Sequence, residues 1–161
     1  MKLYSKLKRT IIKRHIISIT GLDNNIVGTF PILELNLVNE DYFTPSIFGS
    51  GIPGIIISND EGFRSDDLKA VVLSHEYGHA CSFFQNQSIY NEINDLRAKK
   101  YRDKKILSQK EAKIIYDEEV VAWKLGRQFL KEFVKVGDPI WKIFDKDRKF
   151  ALKSYRDELG I

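Results

Sequence analysis

The chain has 161 residues, of which 43% are hydrophobic and 30% are charged. This length and balance predict a single domain over residues 1–161 with an ordinary hydrophobic core, and they argue against a disordered chain. No apolar run approaches the length that a membrane span requires. Cys81 is the only cysteine, which excludes an intrachain disulfide and favours a reducing compartment.

The N-terminal segment, Met1–Arg9, carries the positive charge of a secretory signal. The apolar stretch that should follow is interrupted by Lys13, Arg14 and His15, and no small-residue cleavage site is evident. We therefore expect no signal peptide and predict a cytoplasmic protein.

Strand signals dominate the first 60 residues, which are predicted to be mostly β-structure. Short apolar runs that are β-branched or alternate with polar residues indicate strands at 16–20, 26–30 and 33–37. A further apolar run, Gly54–Ser58, indicates a buried strand, and turn residues follow it at 59–62.

From Ser65 onward the patterns indicate helices. The predicted helices run from Ser65 to about Gln87, from Tyr90 to Lys105, from a capping box at Ser108–Glu111 to about Val134, and from an N-cap at Asp138 with Pro139 in the first turn to Leu159. Strands followed by helices predict an α+β fold: a small, mostly antiparallel N-terminal sheet packed on one central helix, and a helical C-terminal half.

Basic residues concentrate in two segments, 2–14 and 97–105, and the net charge is +4. Such segments can attract acidic proteins or nucleic acids. Neither segment has interleaved aromatic residues or a known DNA-binding motif, which argues against nucleic acid. We therefore predict solvated helix faces, with an acidic protein partner as the alternative.

The segment His75-Glu76-Tyr77-Gly78-His79 matches the pattern H-E-x-x-H. On a helix, residues four apart lie on the same face, so both imidazoles can reach one metal ion. Glu76 lies about 100° around the helix, where its carboxylate can take the proton of a zinc-activated water. This spacing is typical of a zinc metallopeptidase.

The surroundings of the motif favour a metal site over two surface histidines that match by chance. Ser65, Asp66 and Asp67 have the composition of a helix N-terminus. An apolar stripe with helical spacing follows and includes both histidines: Leu68, Val71, Val72, His75, His79 and Phe83. Buried polar groups require a partner, and a shared metal would supply one to both imidazoles.

A catalytic zinc site needs a third protein ligand. The metzincin pattern would require histidine at position 85, where this chain has Gln85, and His15 lies far away in the basic N-terminal segment. Glu119 lies on the most apolar face of the helix that follows the capping box, whereas Glu118 lies about 100° away. A carboxylate on an apolar face needs a metal or a charged partner, so Glu119 is favoured over Glu118, with a salt bridge from Glu119 to a lysine as the alternative.

Two small residues share the face of Glu119. Ala122 and Gly126 lack bulk, which would let their helix approach the histidine helix closely. With these features the chain resembles the gluzincin clan of zinc metallopeptidases, and above all its compact intracellular or phage-type members, the minigluzincins and the ImmA/IrrE-like family. The resemblance covers roughly residues 42–129, and its specific part is the helix from Leu68 to Ala80.

The resemblance implies that His75, His79 and Glu119 bind zinc and that Glu76 is the general base. It also implies that a peptide substrate adds as a strand to the sheet edge near residues 41–44. The predicted function is therefore a zinc-dependent metalloendopeptidase acting on a protein or peptide.

One position departs from the family pattern. Related enzymes often place an aspartate four residues after the glutamate ligand, to orient a zinc-bound histidine, and this chain has Trp123 there. The partner that orients the histidines and the side chain that stabilises the oxyanion are therefore left unassigned, with Tyr90 and Tyr116 as weak candidates for the latter.

Two other functions are consistent with the sequence. One is a catalytically weak binding protein on a peptidase scaffold that regulates a repressor-like or acidic partner. The other is a nucleic-acid-binding protein with structural zinc, which is disfavoured because such a site has four protein ligands and we identify three. The oligomeric state is not predicted.

Overall fold

The computed structural model describes residues 1–14, 32–35, 41–46, 51, 53–58 and 64–161. Its strands are β1 (Ile32–Leu35), β2 (Tyr42–Thr44) and β3 (Gly54–Ser58). Its helices are α1 (Leu3–Arg14), α2 (Asp66–Gln85), α3 (Gln87–Arg97), α4 (Gln109–Leu130) and α5 (Ile140–Leu159), and a π-helical turn, Ala98–Arg102, extends α3. The predicted α+β class is confirmed. None of the described helices has the length and apolarity that a membrane crossing requires.

The three described strands form one sheet in the order β1-β3-β2. β2 pairs with β3 in antiparallel fashion, with Phe43 opposite Ile55, whereas β1 runs parallel to β3, with Leu33 opposite Ile56. The expectation of a mostly antiparallel sheet therefore holds for one of these two pairings. The strands predicted at 16–20 and 26–30 and the turn at 59–62 lie outside the described residues.

Helix α1 lies in a region that we predicted to be mostly β-structure, and there the prediction was wrong. Tyr4, Leu7 and Ile11 are buried and follow one another at helical spacing, which is the pattern of an amphipathic helix. Lys6 and Arg9 are exposed. For this basic segment the prediction of a solvated helix face is confirmed.

Helix α2 is the centre of the fold, because it contacts α1, α3, α4, α5, β2 and β3. Ser65 caps it by accepting a hydrogen bond from the Leu68 amide at 3.1 Å, as predicted. Every residue from Leu73 to Ala80 is buried. The predicted apolar stripe therefore understates the burial, since neighbours surround this part of α2 on all sides.

The capping box of α4 forms as predicted. The Ser108 hydroxyl accepts from the Glu111 amide at 3.2 Å, and the Ser108 amide donates to the Glu111 carboxylate at 2.8 Å. The helix ends at Leu130, four residues before the predicted end. Helix α5 begins at Ile140, whose amide donates to the Asp138 carboxylate at 3.0 Å.

Helices α2 and α4 touch through backbone at their crossing point, which we define as Ser74, Gly78, Ala122 and Gly126. A Cβ atom on Gly78 would lie 2.0 Å from the Ala122 carbonyl oxygen, and one on Gly126 would lie 2.4 Å from the Ser74 carbonyl oxygen. Neither position has room for a side chain. The close approach predicted from Ala122 and Gly126 is thus present, and Gly78 supplies the other half of it.

Candidate metal centre

Beside the crossing point, α2 and α4 bring four polar side chains together. His75 and His79 come from α2, and Glu118 and Glu119 come from α4; we call them the histidine–glutamate cluster. Their exposed fractions are 9%, 5%, 4% and 1%, respectively. Both glutamates are thus buried. Burial therefore gives a weaker reason to prefer Glu119 over Glu118 as a metal ligand than the helical phase suggested.

One oxygen of Glu119 faces both imidazoles. Its Oε2 lies 3.3 Å from His75 Nε2 and 3.5 Å from His79 Nε2. The same nitrogen of each ring therefore points toward a common region, with a carboxylate oxygen beside it. The three residues predicted as metal ligands are brought together by the fold.

Glu118 contacts the other side of His79. Its Oε1 lies 2.9 Å from His79 Nδ1, which leaves His79 Nε2 directed toward Glu119. A carboxylate on Nδ1 is the usual way to fix the tautomer and orientation of a metal-binding histidine. Glu118, which stands immediately before Glu119 in the chain, is therefore in position to orient His79, a task for which the sequence analysis named no residue.

Trp123 stacks on the imidazole of His75. Its ring lies 4.1 Å from the His75 ring, centroid to centroid, with an angle of 13° between the planes. Trp123 also meets Phe144 of α5 edge to face. The residue that replaces the expected aspartate therefore holds a histidine by packing rather than by a hydrogen bond.

Side chains of this site could hold a divalent metal. Two overlapping trios, His75 with Glu76 and His79, and His79 with Glu118 and Glu119, have ligand atoms within 4.8 Å of one another, and neither trio contains all three predicted ligands. Ligands at about 2.0–2.1 Å from a tetrahedral Zn²⁺ lie about 3.3–3.4 Å apart. The two distances from Glu119 Oε2 to the imidazole nitrogens are close to this spacing.

Opposite charges within the histidine–glutamate cluster stabilise one another. Burial opposes the charge of His79, but the carboxylates of Glu118 and Glu119 outweigh it and hold the pKa of His79 well above its ordinary value. Burial likewise opposes the charge of Glu119, but both imidazoles outweigh it and hold the pKa of Glu119 well below its ordinary value. A metal would replace the protons that these imidazoles share with the carboxylates.

Glu76 lies at the edge of the cluster and lines a small cavity beside it. Its Oε1 lies 3.4 Å from His75 Nδ1, and it is 5% exposed. The cavity has a volume of about 120 Å³. It is lined by Asp41, Tyr42, Phe43, His75, Glu76, His79, Tyr90, Asn94, Arg97, Glu119 and Tyr155.

Asp41 positions the sheet edge at this cavity. Its Oδ1 accepts from the Ser58 amide of β3 at 2.7 Å, and its carboxylate pairs with the Arg64 guanidinium at 2.7 Å. These contacts hold the beginning of β2 beside the histidines. β2 is an edge strand among the strands that the structure describes, as predicted for residues 41–44.

Two side chains beside the glutamates, Arg97 and Tyr155, were not predicted as site residues from the sequence. Arg97 was assigned to a solvated basic segment, but it pairs with both Glu118 and Glu119. The alternative prediction was a salt bridge from Glu119 to a lysine. Glu119 does form a salt bridge, but its partner is an arginine. Tyr155 of α5 lines the same cavity as Glu119, and burial raises the pKa of Tyr155.

The two tyrosines named as weak candidates lie in different places. Tyr90 lines the cavity, and burial raises the pKa of Tyr90 to about 12. Tyr116 lines a separate groove between α4 and α5. Tyr155 belongs to α5, and no local pattern in the sequence indicates which helix its face meets.

Comparisons of the chain with family models, with curated proteins and with solved structures gave no match. The chemistry of the site therefore rests on its own residues and geometry.

Proposed function

We propose that this protein is a zinc-dependent metallopeptidase that hydrolyses peptide bonds and belongs to the gluzincin clan. His75, His79 and Glu119 would hold the zinc, and Glu76 would act as general base. The observation that carries the proposal is the position of Glu119 Oε2, within 3.5 Å of Nε2 of both motif histidines. When bound, the metal would activate a water molecule and polarise the scissile carbonyl.

Glu76 is suited to move the proton. Its carboxylate lines the cavity and belongs to the same helix as both histidines, about 100° around from His75. In this role it would take the proton of the attacking water and pass it to the leaving amine. Glu118 would keep the His79 ring in place through Nδ1 while Nε2 faces the metal.

The substrate would lie along β2. Tyr42 and Phe43 of this edge strand line the cavity, and Tyr42 is 40% exposed. A peptide added to an edge strand gains main-chain hydrogen bonds and sends alternate side chains toward the site. This supports a protein or peptide substrate in an extended conformation. A cytoplasmic location is part of the proposal, since the single cysteine suits a reducing compartment.

Glu76→Gln tests the chemistry, because it keeps the shape of the side chain and removes its basicity. We expect zinc content near one ion per chain in both proteins and a fall in peptide-bond hydrolysis of about 10²–10⁴-fold in the variant. The measurement is cleavage of a proteome-derived peptide library, with metal content determined on the same samples. Equal cleavage by the two proteins would contradict the role of Glu76.

The size of the cavity favours one alternative. Ligand-binding pockets usually measure about 300–1,000 Å³, and this cavity has about 120 Å³. A catalytically weak binding protein on a peptidase scaffold, regulating a repressor-like or acidic partner, needs no open cleft. Absence of cleavage by wild type, together with a stoichiometric complex and full biological activity of Glu76→Gln, would favour this alternative.

A further inference from the structure

Arg97, at the C-terminal end of α3, reaches across to α4 and contacts both glutamates of the cluster. Its Nη2 donates to Glu119 Oε1 at 3.1 Å and also to Glu118 Oε2. Only 17% of its side chain is exposed, and its guanidinium lies 5.8 Å from the centre of the Tyr90 ring. One nitrogen of a largely buried arginine thus joins two adjacent carboxylates.

The contact with Arg97 gives the two carboxylate oxygens of Glu119 different partners. Oε1 faces Arg97, while Oε2 faces Nε2 of His75 and His79. A carboxylate held in this way presents one oxygen to the imidazoles and has the other oxygen occupied. The arrangement leaves Oε2 as the oxygen of Glu119 that would be available to a metal.

The contact with Glu118 has the same form. Oε2 faces Arg97, while Oε1 lies 2.9 Å from His79 Nδ1. Arg97 is therefore connected to the site by two routes, directly through Glu119 and indirectly through Glu118 and His79. Its positive charge also separates two buried carboxylates that would otherwise repel each other.

We propose that Arg97 is a positioning residue for the metal site: it holds one oxygen of each glutamate, so that Glu119 presents its other oxygen to the metal and Glu118 presents its other oxygen to His79. This inference rests on the proposed zinc site. It assigns to α3, which supplies none of the proposed ligands, a role in how tightly and in which geometry the metal is held.

The test compares zinc affinity in the full chain across Arg97→Met, Arg97→Gln and Arg97→Lys, measured by competition with a chromophoric chelator at fixed pH and salt. Arg102→Met is the matched control, because it removes the same charge from a side chain that is 76% exposed and pairs with Asp103. The visible absorption of bound Co²⁺ reports ligand geometry independently of activity.

We expect the two neutral variants to bind zinc about 10–100-fold more weakly, as is usual when an outer partner of a ligand is lost. Their Co²⁺ spectra should change, whereas Arg102→Met should match wild type in both readouts. Arg97→Lys should recover most of the affinity, since a single charged nitrogen makes both contacts. Arg97→Gln keeps the test usable if Arg97→Met does not fold.

Neutral variants that bind zinc as tightly as wild type, or more tightly, would overturn the inference, because Arg97 would then be a bystander or a competitor for Glu119. Failure of Arg97→Lys to recover affinity would also contradict it. If wild type binds no zinc, the proposed function itself fails. If wild type binds zinc and the variants bind it equally well, only the role of Arg97 fails.

Discussion

The same two helices, α2 and α4, build two neighbouring regions on opposite physical principles. At the crossing point, Gly78 and Gly126 have no side chain, and each faces a backbone carbonyl of the other helix that leaves no room for a Cβ atom. In the histidine–glutamate cluster, the side chains are large, charged or polar and almost fully buried. The crossing point depends on the absence of side chains at its two glycines, and the cluster depends on charged and polar side chains that pair with one another.

The difference shows how a buried polar site is held together. Buried carboxylates and imidazoles are costly unless each has a partner at hydrogen-bonding distance. The glycines set the separation of the helices, and that separation lets Glu119 reach His75 and His79. The crossing point therefore tolerates no added volume, whereas the cluster tolerates no lost partner.

The largest expected effect lies in the cluster and distinguishes its two glutamates. Glu118→Ala should weaken zinc binding by about 10–100-fold, because it removes a partner of a ligand. Glu119→Ala should weaken it by more, because Glu119 is the carboxylate that faces both imidazole Nε2 atoms. Chelator competition on the two purified variants measures both values. A greater loss with Glu118→Ala would reverse the assignment of the third ligand.

At the crossing point, Gly78→Ala should lower the free energy of unfolding by about 2–3 kcal/mol, because the new methyl group meets backbone rather than a flexible side chain. Denaturant unfolding of the metal-free protein measures the change. Ser82→Ala, at a partly buried position of the same helix, is the control and should have little effect. Wild-type stability in Gly78→Ala would mean that α2 and α4 can separate at little cost.

The smallest effect tests a surface interaction at the start of α4. Lys99 and the capping contacts of Ser108 lower the pKa of Glu111 to about 2, from an ordinary value of 4.5. A lowered pKa stabilises the fold above pH 4.5, and this contribution disappears as the pH falls toward 2. The difference in unfolding free energy between wild type and Glu111→Gln should therefore be constant above about pH 5 and shrink below it.

Ser108→Ala is the control for this measurement. It removes a cap that accepts from the Glu111 amide and should cost about 1 kcal/mol. Because an amide donor does not titrate, this part of the cost should persist at low pH, whereas the part from the Ser108 hydroxyl, which donates to the Glu111 carboxylate at 3.0 Å, should fade as that carboxylate is protonated. A constant difference for Glu111→Gln down to pH 2 would show that its carboxylate has no electrostatic role.

Local signals were sufficient wherever one segment determined its own structure. The capping box at Ser108 and Glu111, the N-cap at Ser65 and the buried strand Gly54–Ser58 all follow from residues close together in the chain. Residues 3–14 were given two conflicting predictions, a solvated basic helix face and part of a mostly β region, although Tyr4, Leu7 and Ile11 have the helical spacing that decides between them.

Pairings between distant segments could not be predicted from local sequence signals. Arg97 was placed in a solvated basic segment, since its neighbours Lys99 and Lys100 are basic, yet it lies against Glu118 and Glu119 of α4. The pairing of His79 with Glu118 and the position of Tyr155 on the lining of the cavity are also long-range. Helical phase indicates which face a residue occupies and carries no information on what that face meets.

The sequence by itself determined the motif helix, with His75 and His79 on one face, the α+β class, and the small residues that permit a close helix pair, because all of these depend on periodicity and local chemistry. Tertiary structure alone decided that Glu119 faces both imidazoles, that Glu118 turns to His79 Nδ1, and that Arg97 holds both glutamates. The physical reason is that neighbouring glutamates differ by only one step along a helix, and the crossing of α2 over α4 gives each of them its partner.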